Sequence, residues 1–308
     1  ARKAFGEWVA GRWILVGKGL SPAAVFPKER AMRFDEQQGG RWSRRSVLAG
    51  SGAILASGAA GAVLGTYATP ARGATEASQS PPPLPWEWAT LDPLEAGRRA
   101  YRFYFDKGGC GSGAYLGLLS LLREEVGYPW TTLPDMMMSH AAAGYGGHGT
   151  LCGALGGASC IINLVAYGRE DQIYRQMIDR LFYWYAKQDF PTDRFDDISK
   201  MPGQVKARAT TPLCHTSVTK WALEAGAEVT SEAKKERCAK VTGEVVYIVT
   251  LAMNEYFAGN WTPPQWEPSE QIKHCVSCHG PDDMWHTKGR KSQQGHMECL
   301  LCHGDHTK

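Results

Sequence analysis

The sequence predicts an all-α protein, a compact helical domain followed by a short irregular and helical tail. Three observations carry that expectation. Apolar residues recur at 3.6-residue spacing through the middle of the chain, strand-like alternation is scarce, and glycines stand where the periodic stretches stop. The 308 residues are 43% hydrophobic and 21% charged, enough for a core of ordinary size, which excludes a disulfide-stapled mini-protein and a wholly disordered chain.

The front of the chain differs from the rest in charge. Residues 1–77 hold 11 Lys and Arg against 5 Asp and Glu, leaving 23 against 26 for residues 78–308 out of the totals of 34 and 31. The net charge of +3 therefore belongs to the leader, and the body is mildly acidic. No basic cluster suits nucleic acid. Residues 41–77 read as paired arginines, then a Gly- and Ala-rich apolar stretch, then small residues at Thr69 and Ala71 or Thr75 and Ala77. This resembles a twin-arginine signal, with Ser43, Arg44, Arg45, Ser46, Val47 and Leu48 on the motif, and it implies export of an already folded protein to the periplasm with its cofactor aboard. Met32 stands ten residues before Trp42, so translation is expected to start there, with residues 1–31 left out. No apolar run reaches the ~18 residues a bilayer span needs, so no membrane span is expected once the leader is removed.

Residues 78–90 form a Pro-rich linker in which no helix can start. The helical domain is expected over 91–258. Its first helix opens with Asp92 as cap and Pro93 in the first turn, puts Leu94, Tyr101, Tyr104 and Phe105 on one face, and stops at Gly108 and Gly109. Helices over 110–126, 150–167, 169–188, 211–225 and 231–258 follow. The stretch at 169–188 carries a stripe of Tyr174, Met177, Ile178, Leu181, Phe182 and Tyr185, and Gly168 and Gly226 sit at helix stops. Gly144-Tyr145-Gly146-Gly147 reads as a turn rather than a phosphate cradle, and Asp135-Met136-Met137-Met138 as loop or core packing. No Ser-His-Asp order or paired-carboxylate setting stands out.

Residues 259–308 are broken by Pro263, Pro264 and Pro268 and carry six of the nine histidines. Such a segment cannot build its own core. Within it stand Cys275-Val276-Ser277-Cys278-His279 and Cys299-Leu300-Leu301-Cys302-His303, each the C-x-x-C-H signature of covalent haem c attachment. Two thiols one helical turn apart reach the two vinyl groups of a porphyrin, and the adjacent imidazole faces the iron. The competing reading is a zinc ribbon, since 20 residues separate the two pairs. A ribbon has no use for a His after each second Cys. The expectation is two haems c, with His279 and His303 as proximal ligands and His286, His296 and His274 as candidates for the distal positions. His306 is also available, and Met284 and Met297 stand behind the histidines. So many histidines suit bis-His iron and electron transfer rather than an open catalytic haem, a small reductase being the enzymatic alternative. His140, His148 and His215 are expected in the core or near a cofactor.

Five cysteines remain. Disulfides are one reading, but an odd number leaves one over. Cys110, Cys152 and Cys214 each fall in the first turn of an expected helix and Cys238 in the second turn of the last. The helix dipole there should lower thiol pKa and favour an anionic iron–sulfur cluster. Cys160 follows as an alternative ligand or a packed thiol.

Cys152-Gly153-Ala154-Leu155-Gly156-Gly157 resembles the CGAxxG motif of a redox-active family with four characteristic cysteines, and Cys110, Cys214 and Cys238 suit the other three. Such a domain followed by two C-x-x-C-H motifs resembles the split-Soret cytochromes c over residues 91–308. The resemblance implies a homodimer with stacked haems near the subunit interface, bis-His iron, and an additional iron–sulfur centre, a [2Fe–2S] cluster being favoured. It also allows a distal His from the partner subunit. A periplasmic redox protein is the expected partner, and the acidic body would suit a basic patch on it.

Overall fold

The computed structural model describes residues 80–263, 267–280 and 296–307, and two short strands, Trp8–Val9 (β1) and Arg12–Trp13 (β2), paired antiparallel. The twin-arginine segment, Met284 and His286 lie outside the described residues. The chain divides into two units, residues 1–74 and 75–308. All that follows concerns the second.

That unit is all-α, with helices Pro93–Asp106 (α1), Cys110–Glu125 (α2), Gly153–Ala166 (α3), Ile173–Lys187 (α4), Cys214–Ala225 (α5), Glu232–Phe257 (α6) and Glu270–His279 (α7). A two-residue ladder, Asp189–Phe190 (β3) with Ala207–Arg208 (β4), closes the loop between α4 and α5. The expected caps form. Asp92 Oδ1 accepts from the N–H groups of Leu94 (2.7 Å) and Glu95 (3.1 Å), and Gly226 ends α5 at φ 58°.

Helix α2 is the centre of the domain. Every residue but one from Cys110 to Leu122 is buried, so the helix needs small residues wherever a neighbour crosses it. A Cβ on Gly117 would lie 2.6 Å from Ala100 Cβ of α1, and one on Gly157 of α3 would lie 2.4 Å from the Gly111 carbonyl. This close approach changes the expected face of α1. Leu94 and Phe105 are 40% and 39% exposed; Tyr101 is buried as expected, and it is joined by Ala96, Gly97 and Ala100, whose small side chains let the helices meet. Helix α6 packs against α1, α2, α3 and α4. Helix α4 starts later than its periodicity suggests, because Asp171 and Gln172 take positive φ. It buries Ile173, Met177, Leu181 and Tyr185 and leaves Tyr174, Ile178 and Phe182 half-buried.

The Pro-rich stretch starts no helix, as its composition requires, yet its later part is docked rather than spanning open solvent. Trp86 and Trp88 are buried. The Trp86 N–H donates to Leu164 O (2.8 Å), Trp88 Nε1 donates to Asn254 Oδ1 (3.1 Å), and Trp130 meets Trp86 edge-on with ring centroids 5.0 Å apart. The Asp135-Met136-Met137-Met138 stretch is also held: Asp135 pairs with Arg123 (2.8 Å), Met138 is buried, and Met136 and Met137 are exposed. Among the described residues no helix is long and apolar enough to cross a membrane.

Candidate metal and haem centres

Cys110, Cys152, Cys214 and Cys238 line one cavity of about 140 Å³. Cys110 opens α2, Cys152 immediately precedes α3, Cys214 opens α5, and Cys238 lies in the second turn of α6. Two of them are fixed by one device. Leu151 and Leu213 form an isolated antiparallel bridge, the Cys152 N–H donates to Pro212 O (2.9 Å) and the Cys214 N–H to Thr150 O (2.7 Å).

The glycines of the CGAxxG stretch let the walls close. A Cβ on Gly153 would lie 2.2 Å from Ala141 O and 2.6 Å from Cys110 Sγ, and one on Gly156 would lie 2.2 Å from Tyr145 Oη. The motif therefore marks a backbone that passes directly against the Cys110 sulfur and its supports. Cys160 is half-buried on α3 and does not line this cavity.

All four thiols are free, and no disulfide forms among the described residues. Their acidity departs from the expectation drawn from helix termini. Burial pushes Cys110 and Cys152 up and raises Cys214 to about 12, reinforced by neighbouring thiols of the same cavity. Desolvation outweighs the helix dipole here. Cys110, Cys152 and Cys214 stay protonated until a metal displaces the protons. His140, His148 and His215 are exposed, which overturns a place in the core, since the 140–150 loop and the start of α5 turn them to solvent; His215 directly follows Cys214.

Two observations test whether these residues fit a cluster. Among the described residues no three His, Cys, Asp or Glu side chains close tightly enough on one point to hold a single ion, whereas the four thiols surround open space. Arg237 lines the same cavity at 2% exposure. Its Nη1 lies 3.8 Å from Cys238 Sγ, its Nη2 donates to Ser217 Oγ (2.7 Å), and its Nε is buried without a partner. A buried cation facing four thiols around open space fits an anionic metal–sulfur group. Tyr185 joins the wall, its hydroxyl donating to Ser217 Oγ (2.8 Å) and within hydrogen-bond reach of the Cys152 thiol. Arg237 and Ser217 were missed in the sequence. The available signal was a charge beside Cys238 on the buried face of α6.

The two C-x-x-C-H motifs share a second cavity, of about 440 Å³, lined by Cys275, Cys278, His279, Cys299, Leu300 and His303, with His274 and His306 on its wall. The first motif ends α7, and the second lies on a 3₁₀ turn, Cys299–Leu301. Cross-ties bring them together. Ser269 Oγ donates to Glu298 Oε2 (2.9 Å) and the Leu300 N–H to Gln271 Oε1 (2.9 Å). The Cys299 thiol is pushed up by burial and by its hydrogen bond with Cys275. His279 and His306 meet edge-on at 5.9 Å, and His274 Nε2 is 3.1 Å from Thr307 Oγ1. Cys302 is exposed and stands off this lining, whereas the Cys275 and Cys278 pair, the Cys299 thiol, the two following imidazoles and His274 and His306 on the wall are the donor types that covalent haem uses.

His296 lies elsewhere. It lines an open groove of about 720 Å³ along α4 with Ile178, Phe182, Leu151, Leu213 and Met297, and its Nδ1 is 3.0 Å from Asp179 Oδ1. Leu151 and Leu213 directly precede Cys152 and Cys214, so this groove backs onto the four-cysteine wall.

Residues 117–251 match the family model described as "Putative redox-active protein (C_GCAxxG_C_C)". The chain is 30% identical over 274 residues to the split-Soret cytochrome c of Desulfovibrio desulfuricans, an alignment covering 84% of this chain and 94% of that protein. A solved structure described as a novel iron centre in the split-Soret cytochrome c from Desulfovibrio desulfuricans matches with a TM-score of 0.62 at 29% identity, over 71% of this chain and 90% of that one. With its helical fold, its CGAxxG turn against Cys110 and its paired haem motifs, the chain belongs to the split-Soret cytochrome c family.

Proposed function

We propose that this protein is a periplasmic electron carrier with two haems c, bonded to Cys275 and Cys278 and to Cys299 and Cys302, and an iron–sulfur cluster on Cys110, Cys152, Cys214 and Cys238. The observation that carries the reading is the single cavity onto which both haem motifs open. Haem and cluster iron supply reversible one-electron chemistry, and the chain contributes ligation, burial and orientation.

His279 and His303 are the proximal ligands in this reading. His274 and His306 stand on the same cavity wall, which supports bis-His coordination without an open iron. His286 and His296 remain candidates for ligation across a subunit boundary, consistent with a homodimer, and Asp179 would hold the His296 ring through Nδ1 as carboxylates commonly hold metal-bound imidazoles. Export follows from the twin-arginine segment, and a redox protein with a basic patch is the partner. A [2Fe–2S] cluster is the form the family favours.

The test is the visible spectrum of periplasmically produced protein, oxidised and dithionite-reduced, with and without carbon monoxide. Sharp reduced bands, a split Soret and no response to carbon monoxide are expected. A strong carbon monoxide shift would mean an open iron and a reductase, and a colourless protein would hand the tail to zinc.

A further inference from the structure

Helix α6 buries four charged residues, and three of them are accounted for by partners on the loop packed against it and on α1. Glu236 accepts from the hydroxyls of Tyr101 (2.6 Å) and Ser199 (2.8 Å). Lys240 donates to the Asp196 carboxylate and to Met201 O, and Glu244 accepts from the Thr192 N–H (2.7 Å). These charges tether residues 192–201 to the helix. Arg237 is the exception. Among the described residues its hydrogen bonds run to Ser217 and to the Cys238 sulfur and not to a carboxylate, and its Nε has no partner.

Glu244 feels the guanidinium through space but spends its carboxylate on Thr192, and a fully buried guanidinium whose donors meet no carboxylate is unfavourable, since Arg cannot shed its proton to relieve it. The only anionic chemistry its cavity offers is that of the four sulfurs. Four thiolates around a two-iron or four-iron core with two positive charges leave a group of about −2. Arg237 and Lys234, which lines the same cavity from a half-buried position, supply two positive charges. The balance holds for the oxidised group and is exceeded by one negative charge on reduction.

On the reading that the four-cysteine cavity seats an iron–sulfur cluster, we infer that Arg237 is the fixed counter-charge that sets that centre's reduction potential, held in aim by Ser217, with Lys234 a weaker, solvent-screened second. Arg237 touches the ligand sulfur and not the reacting iron, so it is a positioning and tuning residue. Reduction moves one electron from a mediator to one ferric ion, which becomes ferrous, with no bond made or broken. A fixed positive charge a few ångströms away stabilises the added charge most where water is excluded.

The experiment is a dithionite and mediator-dye titration of the full-length holoprotein followed by electron paramagnetic resonance, after iron and acid-labile sulfide have been counted. Arg237→Gln is expected to shift the reduction equilibrium at least tenfold against the reduced form, about 59 mV for a one-electron couple. Arg237→Lys should recover part of that shift, Lys234→Gln should shift it in the same direction by less, and the haem potentials in the same molecules should move least. An unchanged or raised potential in Arg237→Gln overturns the inference, as does an equal shift of haems and centre. If Arg237→Gln fails to retain its centre, Ser217→Ala decides, since it frees the guanidinium without removing it. A lowered potential there supports the role and an unchanged one overturns it. Wild-type protein lacking acid-labile sulfide and any iron beyond the haems refutes the cluster reading itself.

Discussion

The four-cysteine cavity draws its lining from α2, α3, α5 and α6, spread from Cys110 to Cys238, whereas the haem cavity is lined from residues 274–307 alone. The first is embedded in the buried core, with Cys110 and Cys152 among its members. The second rests on α7, whose one buried residue is Ile272, and on a few side-chain cross-ties. In the body, then, the fold assembles the ligands, and its apolar burial bears the ordering entropy of the site. In the tail the ligands come ready-grouped in sequence, and on the proposed reading the haems would do much of the ordering. Metal-organised segments behave in this second way, with binding free energy serving as folding free energy.

That contrast is open to attack from both ends. The largest effect belongs to the tail: replacing Cys275 and Cys278 together by Ser should remove one of two haems by pyridine haemochrome assay and open residues 267–307 to proteolysis. The body's unfolding free energy should stay within about 0.5 kcal/mol of wild type. A body destabilised alongside would dissolve the distinction.

Next comes Glu244, in the body, whose folded pKa is raised to about 7, first by burial. Below the unfolded carboxyl pKa both states hold the proton and nothing is lost. Between that value and about 7 the unfolded chain releases a proton that the folded one keeps, so stability falls as pH rises through this window and levels off above it. The loss is on the order of 3 kcal/mol. Glu244→Gln, which can still accept from Thr192, should flatten this slope in urea titrations at pH 5 and pH 8 and leave the haem bands alone.

Gly157→Ala sharpens the comparison from the packing side. Alanine gains about 1 kcal/mol of helix propensity, but its Cβ would lie 2.4 Å from the Gly111 carbonyl, a backbone atom that cannot step aside. We expect a net loss of about 2 kcal/mol in thermal or urea unfolding and reduced non-haem iron, because α2 and α3 carry Cys110 and Cys152. Smallest is Asp92→Ala, which removes the two cap bonds of α1 at about 1 kcal/mol and should leave both centres spectroscopically unchanged.

Much of this was legible in the residues, for reasons that differ by region. The helix positions follow from periodicity and from punctuation by Gly108, Gly109, Gly168 and Gly226, whose positive φ values are what only glycine adopts cheaply. The haem motifs are legible because their chemistry is local. On α1 the burial of Tyr101 was legible but that of Ala96, Gly97 and Ala100 was not, since tight helix crossing favours them over Leu94 and Phe105. Thiol acidity was misread because the dipole of a helix end is visible in sequence and the depth of burial is not. His140, His148 and His215 gave no sign of their exposure. Arg237 escaped notice because a charge next to a cysteine in a charge-rich helix looks ordinary until the helix is seen to be buried.

The antiparallel bridge between Leu151 and Leu213 also bears on how such a protein can change over generations. It clasps the two ends of the segment that separates Cys152 from Cys214, so the spacing of these two sulfurs is set at the clasp and not by the length of chain between them. Residues 192–201 are tied to α6 and Phe195 is buried, so the room for change lies in the exposed stretch around Pro202, Gly203, Val205 and Lys206, which can gain or lose residues with little effect on the site, because each doubling of a flexible loop adds only about 0.6 kcal/mol. Lineages are free to vary that loop while inheriting the sulfurs' geometry intact, and insertions should accumulate there before they are tolerated anywhere in the CGAxxG turn.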